Sequence, residues 1–304
     1  MAEERSFFDE LEDYEIDYVI KEKDLIVGEN SGDINISRYC NSMPKGYNIL
    51  FINQGSIEID DMDMIPDNTI FKNEGDVFIR SINEIGENVQ FKNNGDLTIN
   101  SIEYLPSDII IESQGDIEMD YLKVLPPNFP QDNPGNLLLE NLIEIPYAWE
   151  FKNEGNIEIK ELKEIPEDTV FTNGGNIKLV NVVNVGNNVI FENSGDIDFR
   201  DIETLGTGCV FRNYGDLYLS ELEYVPKNTT FETNRSVYIQ HANKIAPNTI
   251  FNNGYDVDLE RLSKLPKGIQ FNNKGTLNLN LDENLDMWRI NTKKYITLLL
   301  KRLS

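Results

Sequence analysis

The sequence predicts an all-β protein, a parallel β-solenoid built from 20-residue coils with a cap at each end. Three observations predict it. Phenylalanine recurs at Phe51, Phe71, Phe91, Phe151, Phe171, Phe191, Phe211, Phe231, Phe251 and Phe271, a period of 20 residues without drift. Glycine recurs four residues later, as at Gly55, Gly75, Gly95, Gly155, Gly195 and Gly275. After each glycine, apolar and polar residues alternate: Val77 and Ile79 against Asp76, Phe78 and Arg80, the period-two pattern of a half-buried strand. A fixed repeat of this length is a structural unit that can bury its apolar side only against copies of itself.

Taken in order, residues 1–31 read as an acidic N-terminal cap. Residues 1–24 hold ten carboxylates and three basic groups with Phe7, Phe8, Leu11, Tyr14 and Ile16 among them. A segment with one apolar and one charged side suits the open end of a solenoid. Residues 32–281 form the repeat, about 12 to 13 coils, starting with a longer first copy from Gly32 to Pro44. Within a coil, the strand after the glycine is followed by a tight arc, as at Ile82 and Ile85. Pro or Gly closes the arc, as at Pro66, Gly86 and Pro106. Asn or Asp two residues later, as at Asn68, Asn88 and Asp168, tolerates a left-handed corner. Val89 and Phe91 then point inward on a second strand, followed by an inward Asn93.

Two columns call for a physical reason. The Asn column (Asn53, Asn73, Asn93, Asn153, Asn173, Asn193 and onward) is expected to donate to one coil and accept from the next. The glycine column is expected to supply a positive φ between the strands. Its exceptions, Arg235 and Tyr255, follow Asn234 and Gly254, and the left-handed turn is expected to shift onto those residues. Residues 121–140 are irregular: Gln131 takes the Phe position, and Phe129 sits among Pro126, Pro127, Pro130 and Pro134, which should interrupt the second strand. After Leu279 the period stops. Leu285, Trp288, Ile296, Leu299 and Leu303 fall at roughly helical spacing, so residues 282–304 are expected to form a C-terminal capping helix, basic where the rest of the chain is acidic.

At GDVFIRSINEIGENVQFKNNG and its copies, the chain resembles leucine-rich-repeat-like solenoid proteins found in bacteriophages and bacteria, whose repeats read approximately G-x-[VL]-x-L-x-x-L-x-x-[IL]-P-x-x-[VL]-x-F-x-N. The match runs over roughly residues 32–281 and lacks the Asn that usually follows the first strand in related effector repeats. The resemblance implies a leucine-rich-repeat-like coil and a binding or scaffolding role.

Composition narrows the function classes. A net charge of -26 disfavours direct contact with nucleic-acid phosphates or anionic lipid and favours a basic or neutral protein partner. Two cysteines, Cys40 and Cys209, imply no disulfide framework, and the acidic start has no secretory apolar core. No apolar run is long enough to span a membrane, so a cytoplasmic location is expected. There is one histidine, His241, no phosphate-binding glycine loop and no metal-binding cysteine pair, so neither an enzyme nor a cofactor or metal is expected. The expectation is a non-enzymatic protein-binding scaffold, with an acidic nucleic-acid mimic or a structural virion component as alternatives. Outward strand positions mix Arg80, Lys160, Lys178 and Arg200 with Asp60, Asp120, Glu158 and Asp198, which favours the scaffold. The candidate partner-binding residues are the outward Phe78, Arg80, Leu138, Arg200, Tyr218, Tyr238 and Gln240, with His241 beside them. Tyr218 and Tyr238 occupy the same position on successive coils and are expected to stack, as a docking patch or a ladder that stabilises the sheet.

Overall fold

The structure is a computed structural model and describes residues 18–22, 24–36, 45–130, 132–263, 267–281 and 288–291. Among the described residues every regular element is a strand or bridge, with no α-helix. The fold is a parallel β-solenoid with coils of 20 residues. The chain divides into two compact units, Met1–Leu142 and Ile143–Ser304.

Each coil has three sides. In the coil after Gly75, Val77–Ile79 lies on a first sheet (face A), Ile82–Ile85 on a short side (face C), and Gln90–Asn93 on a second sheet (face B). Val77, Ile79, Ile82, Ile85, Val89 and Phe91 all point inward and are buried. The partner of each residue is the one 20 positions away: Phe91 pairs with Phe71 and Ile111, and Leu97 pairs with Val77 and Ile117. Identical columns therefore stack along the core. The rings of Phe71 and Phe91 lie 5.1 Å apart with planes 3° from parallel, and those of Phe171 and Phe191 lie 5.2 Å apart. Such pairs contribute about 0.5–1.5 kcal/mol each beyond their burial.

In unit 1 the parallel stack extends back to Leu25–Asn30, inside the segment that the sequence marks as cap. There Gly28 pairs with Phe51, so the first copy of the column carries no phenylalanine to announce it. Tyr18–Glu22 pairs antiparallel with Leu25–Asn30 and supplies backbone partners to that strand. In unit 2 the last face A strand, Thr276–Leu281, is paired antiparallel by Trp288–Asn291. This corrects the predicted capping helix over those four residues. The N–H and C=O groups of an open sheet edge need partners, and a strand supplies them where a helix does not. The rest of that segment, like Cys40, lies outside the described residues.

The Asn column behaves as expected. In unit 2, Asn153 Nδ2 donates to Asn173 Oδ1 at 2.9 Å, Asn173 to Asn193 at 2.8 Å and Asn193 to Asn213 at 2.9 Å. The same Asn193 Nδ2 donates to the Gly195 carbonyl at 2.7 Å, closing the turn between faces B and A. The left-handed corner is also where the sequence puts it: Asn68, Asn88, Asp168, Asn188, Asn228 and Asn248 have φ between 56° and 64°. Asp108 and Asn128 are not among the positive-φ residues; there the Ile109 and Phe129 N–H groups bond back to the Pro106 and Pro126 carbonyls.

The glycine column is a correction. None of Gly55, Gly75, Gly95, Gly175, Gly195 or Gly215 has a positive φ, and neither do Asn234, Gly254, Arg235 or Tyr255. The requirement is close approach between coils. The Gly195 N–H donates to the Gly175 carbonyl at 3.0 Å, and a Cβ on Gly195 would lie 2.6 Å from that oxygen.

The irregular coil is reconciled by the inward column to which Val89 belongs. Thr69, Val89, Ile109, Phe129, Trp149, Thr169, Val189 and Cys209 all occupy the inward position two residues before the Phe column, and all are buried. Phe129 fills that position in its own coil. The described part of the face B strand there is Asp132–Asn133, and Pro130 lies outside the strand, where Gln90 begins it in the regular coil.

Candidate functional site

On face A of unit 2, residues two, four and six positions before the next arc point outward in columns, because side chains alternate along a strand. Asp198 pairs in register with Tyr218, Tyr218 with Tyr238, and Tyr238 with Asp258. The Tyr218 and Tyr238 rings lie 5.0 Å apart with planes 7° from parallel. Tyr218 remains 37% exposed, and its open side faces a groove of about 660 Å³ lined by Lys178, Asp198, Arg200, Ser220 and Gln240. Partial burial, then the negative charge of Asp216, holds the Tyr218 phenol above its ordinary pKa, so that phenol is neutral at neutral pH.

The cations beside this patch are already engaged. Arg200 Nη2 lies 2.9 Å from Asp198 Oδ2, and Lys178 Nζ lies 2.8 Å from Glu158 Oε1. Many of the acids in the column after the glycines are engaged as well, as acceptors for the backbone of the next coil. Asp216 N–H donates to Asp196 Oδ1 at 2.8 Å, Ser236 N–H to Asp216 Oδ1 at 2.9 Å, and Thr276 N–H to Asp256 Oδ1 at 2.6 Å.

The structure brings Arg200, Tyr218, Tyr238 and Gln240 together, with Gln240 just past the end of the Tyr238 strand. His241 follows Gln240 but turns to the next corner, where its Nδ1 lies 2.9 Å from Glu221 Oε2. Phe78, Arg80 and Leu138 belong to unit 1. Phe78 is half-buried beneath Arg80, whose guanidinium carbon lies 5.6 Å from the ring centroid. Arg80 also bridges Glu58 at 3.2 Å and Asp60 at 3.3 Å. Leu138 is half-buried and pairs in register with Glu118.

Sequence reasoning missed a second exposed group. At the corner between faces B and A, Tyr214, Arg235 and Tyr255 stand on successive coils, with Tyr214 67% and Tyr255 62% exposed. Arg235 and Tyr255 replace the glycine column there, and the Tyr255 N–H still donates to the Arg235 carbonyl, at 3.2 Å. The break in that column was the available signal, and it marks exposed Tyr and Arg beside the Tyr218–Tyr238 face rather than a displaced turn.

Cys209 is buried in the core, and burial raises its thiol pKa to about 11, so it is a packing group at neutral pH. Among the described residues no group of three or more His, Cys, Asp or Glu is placed to hold a metal ion, and no helix is long and apolar enough to cross a membrane. In comparisons with known proteins, no family model matches the chain, and no match was found among curated proteins or solved structures.

Proposed function

We propose that this chain is a non-enzymatic protein-binding scaffold whose docking surface is face A of unit 2 around Tyr218 and Tyr238. The observation that carries the reading is the stacked tyrosine pair, 5.0 Å apart, uncharged and partly exposed on a protein of net charge -26. Tyr and Arg concentrate the binding energy of protein interfaces, and here Arg200 borders the pair on its own face while Tyr214, Arg235 and Tyr255 project from the adjacent corner. The resemblance of the repeat to leucine-rich-repeat-like proteins supports a scaffold, and with it we propose a phage-encoded protein acting in the host cytoplasm. The mimic of nucleic acid is the weaker reading. Mimicry needs a continuous track of unpaired negative charge, whereas Asp198, Glu158 and Asp60 each lie against a neighbouring cation.

The test is capture of partners from the native host by the full-length protein, followed by measured affinity for each with the Tyr218→Ser/Tyr238→Ser double variant. The expected result is loss of binding at least about tenfold with the melting temperature lowered only slightly. Unchanged affinity alongside a lower melting temperature would show the pair to be a structural ladder and overturn the reading.

A further inference from the structure

The outward column of face A in unit 2 runs in register through Glu158, Lys178, Asp198, Tyr218 and Tyr238. Its ring stack stops at Tyr218. Tyr238 covers one face of that ring, and the place beside the other face belongs to Asp198, a short, half-buried side chain. The groove of about 660 Å³ opens above Asp198, between Tyr218 and Lys178. Those two positions are two strand spacings apart, about 9.6 Å, which is room for one ring at about one spacing from each. The long side chains around this slot are each held by a carboxylate. Arg200 lies against Asp198, with Nε 3.1 Å from Oδ1 and Nη2 2.9 Å from Oδ2, and Lys178 Nζ reaches back to Glu158 Oε1 at 2.8 Å, on the side away from Tyr218.

We infer that this slot receives a tyrosine side chain of the partner protein, entering tip first and extending the stack of Tyr218 and Tyr238 by one member. The inference rests on the scaffold reading and names what the partner presents. Shape selects a flat group. Tyr218 and Tyr238 set parallel planes 5.0 Å apart, and a further ring gains an offset stack on Tyr218 while packing its other face on the Lys178 stem. Charge selects a neutral group. Two cations, Lys178 and Arg200, and two carboxylates, Asp196 and Asp198, line the groove, so an entering guanidinium or carboxylate meets a like charge beside each opposite one. The floor selects a hydroxyl. A carboxylate offers about four lone-pair sites, and the Arg200 contacts, two from Nε and one from Nη2, leave Asp198 room for one more donor. A phenol at the ring tip supplies it, and a phenylalanine does not. A nucleobase would bring its phosphates against a net charge of -26, which disfavours it.

The test uses a defined probe. The peptide acetyl-Gly-Ser-Tyr-Ser-Gly-amide is titrated to about 10 mM with the full-length protein, beside its phenylalanine and arginine analogues. Binding is followed by saturation-transfer NMR, with upfield shifts of the peptide's aromatic protons as the signature of stacking. Expected is binding of the tyrosine peptide with that shift, weaker binding of the phenylalanine analogue and none of the arginine analogue. Tyr218→Ser/Tyr238→Ser should weaken the tyrosine peptide at least about tenfold, while Tyr104→Ser, at an exposed tyrosine of unit 1, should leave it unchanged. Asp198→Tyr, which fills the slot from within the chain, should abolish binding with a melting temperature no lower than the parent's. Asp198→Ala should bring the tyrosine peptide down to the level of the phenylalanine one and leave the latter unchanged, which keeps the test decisive should Asp198→Tyr misfold. Arginine binding as tight as tyrosine, or tyrosine binding that survives Asp198→Tyr in a folded protein, would overturn the slot. A captured partner that loses affinity with the double tyrosine variant but not with Asp198→Tyr would sink this inference and leave the scaffold reading standing. A partner indifferent to both variants, beside a peptide that binds as expected, would keep the slot and sink the scaffold reading for this face.

Discussion

Gly195 donates its N–H to the carbonyl of Gly175 at 3.0 Å, and the two coils meet so closely there that a Cβ on Gly195 would come within 2.6 Å of the same oxygen. Real Cβ atoms do not approach backbone that closely, so Gly195→Ala requires a local shift of the backbone, of the kind that admits Arg235 and Tyr255 at this position in their own coils. The expected loss is about 1–3 kcal/mol, the range for overpacking a tight contact. Gly32→Ala is the control, because nothing lies within 4 Å of a Cβ placed there; its effect should stay within about 0.5 kcal/mol. Equal urea midpoints for the two variants would remove close approach as the reason for the glycine column.

Asn193 accepts from Asn173, donates to Asn213 and closes its own turn through the Gly195 carbonyl. Asn193→Ala should lower stability by about 2–4 kcal/mol, since each buried partner left unsatisfied costs about 1–3 kcal/mol. Asn193→Thr should lose less than half as much. Thr233 already serves in this column, donating to the Arg235 carbonyl at 2.9 Å and accepting from Asn253 at 2.7 Å. Chemical denaturation of the two variants, with the exposed Asn94→Ala as a reference, checks the ranking.

Cys209 should resist thiol reagents in the folded protein. In a Cys40→Ser background, where it is the single thiol, labelling at pH 8 should proceed only at the rate of unfolding. Its pKa is raised from 9.0 to about 11 by burial. The neutral thiol's contribution to stability is therefore fully present below pH 9 and lost as pH rises through about 11. Cys209→Ala should melt lower at neutral pH and lose part of the parent's alkaline decline. Rapid labelling of folded protein would contradict its place in the core.

The repeat and its inward columns were legible because identical residues at a fixed spacing can only stack on one another. Phe91 over Phe71 and Asn193 beside Asn173 follow from the period alone, and the left-handed corner at Asn68 and Asn88 follows from the residue type that recurs there. The glycine column was visible but its cause was not. A glycine that frees φ and a glycine that admits a neighbouring backbone are the same letter, and only the distance to the next coil separates them. The inward column that includes Cys209 was masked by chemical variety, since Thr169, Phe129 and Trp149 share burial and nothing else. On face A, stacking of Tyr218 on Tyr238 was readable from spacing.

Because nearly every inter-coil hydrogen bond, ring contact and strand pair in unit 2 joins residue n to a residue about 20 positions away, the chain carries its own rules for growth and loss. Removing residues 181–200 would rejoin like with like: Phe171 would meet Phe211, Asn173 would meet Asn213, and Gly175 would meet Gly215. A gene encoding such a protein can shorten or lengthen by whole 60-nucleotide steps, three nucleotides for each of the 20 residues in a coil, without presenting the folding chain with a new problem. Length is thus a property that recombination can change freely, while the residues on the outer faces decide which lengths are worth keeping.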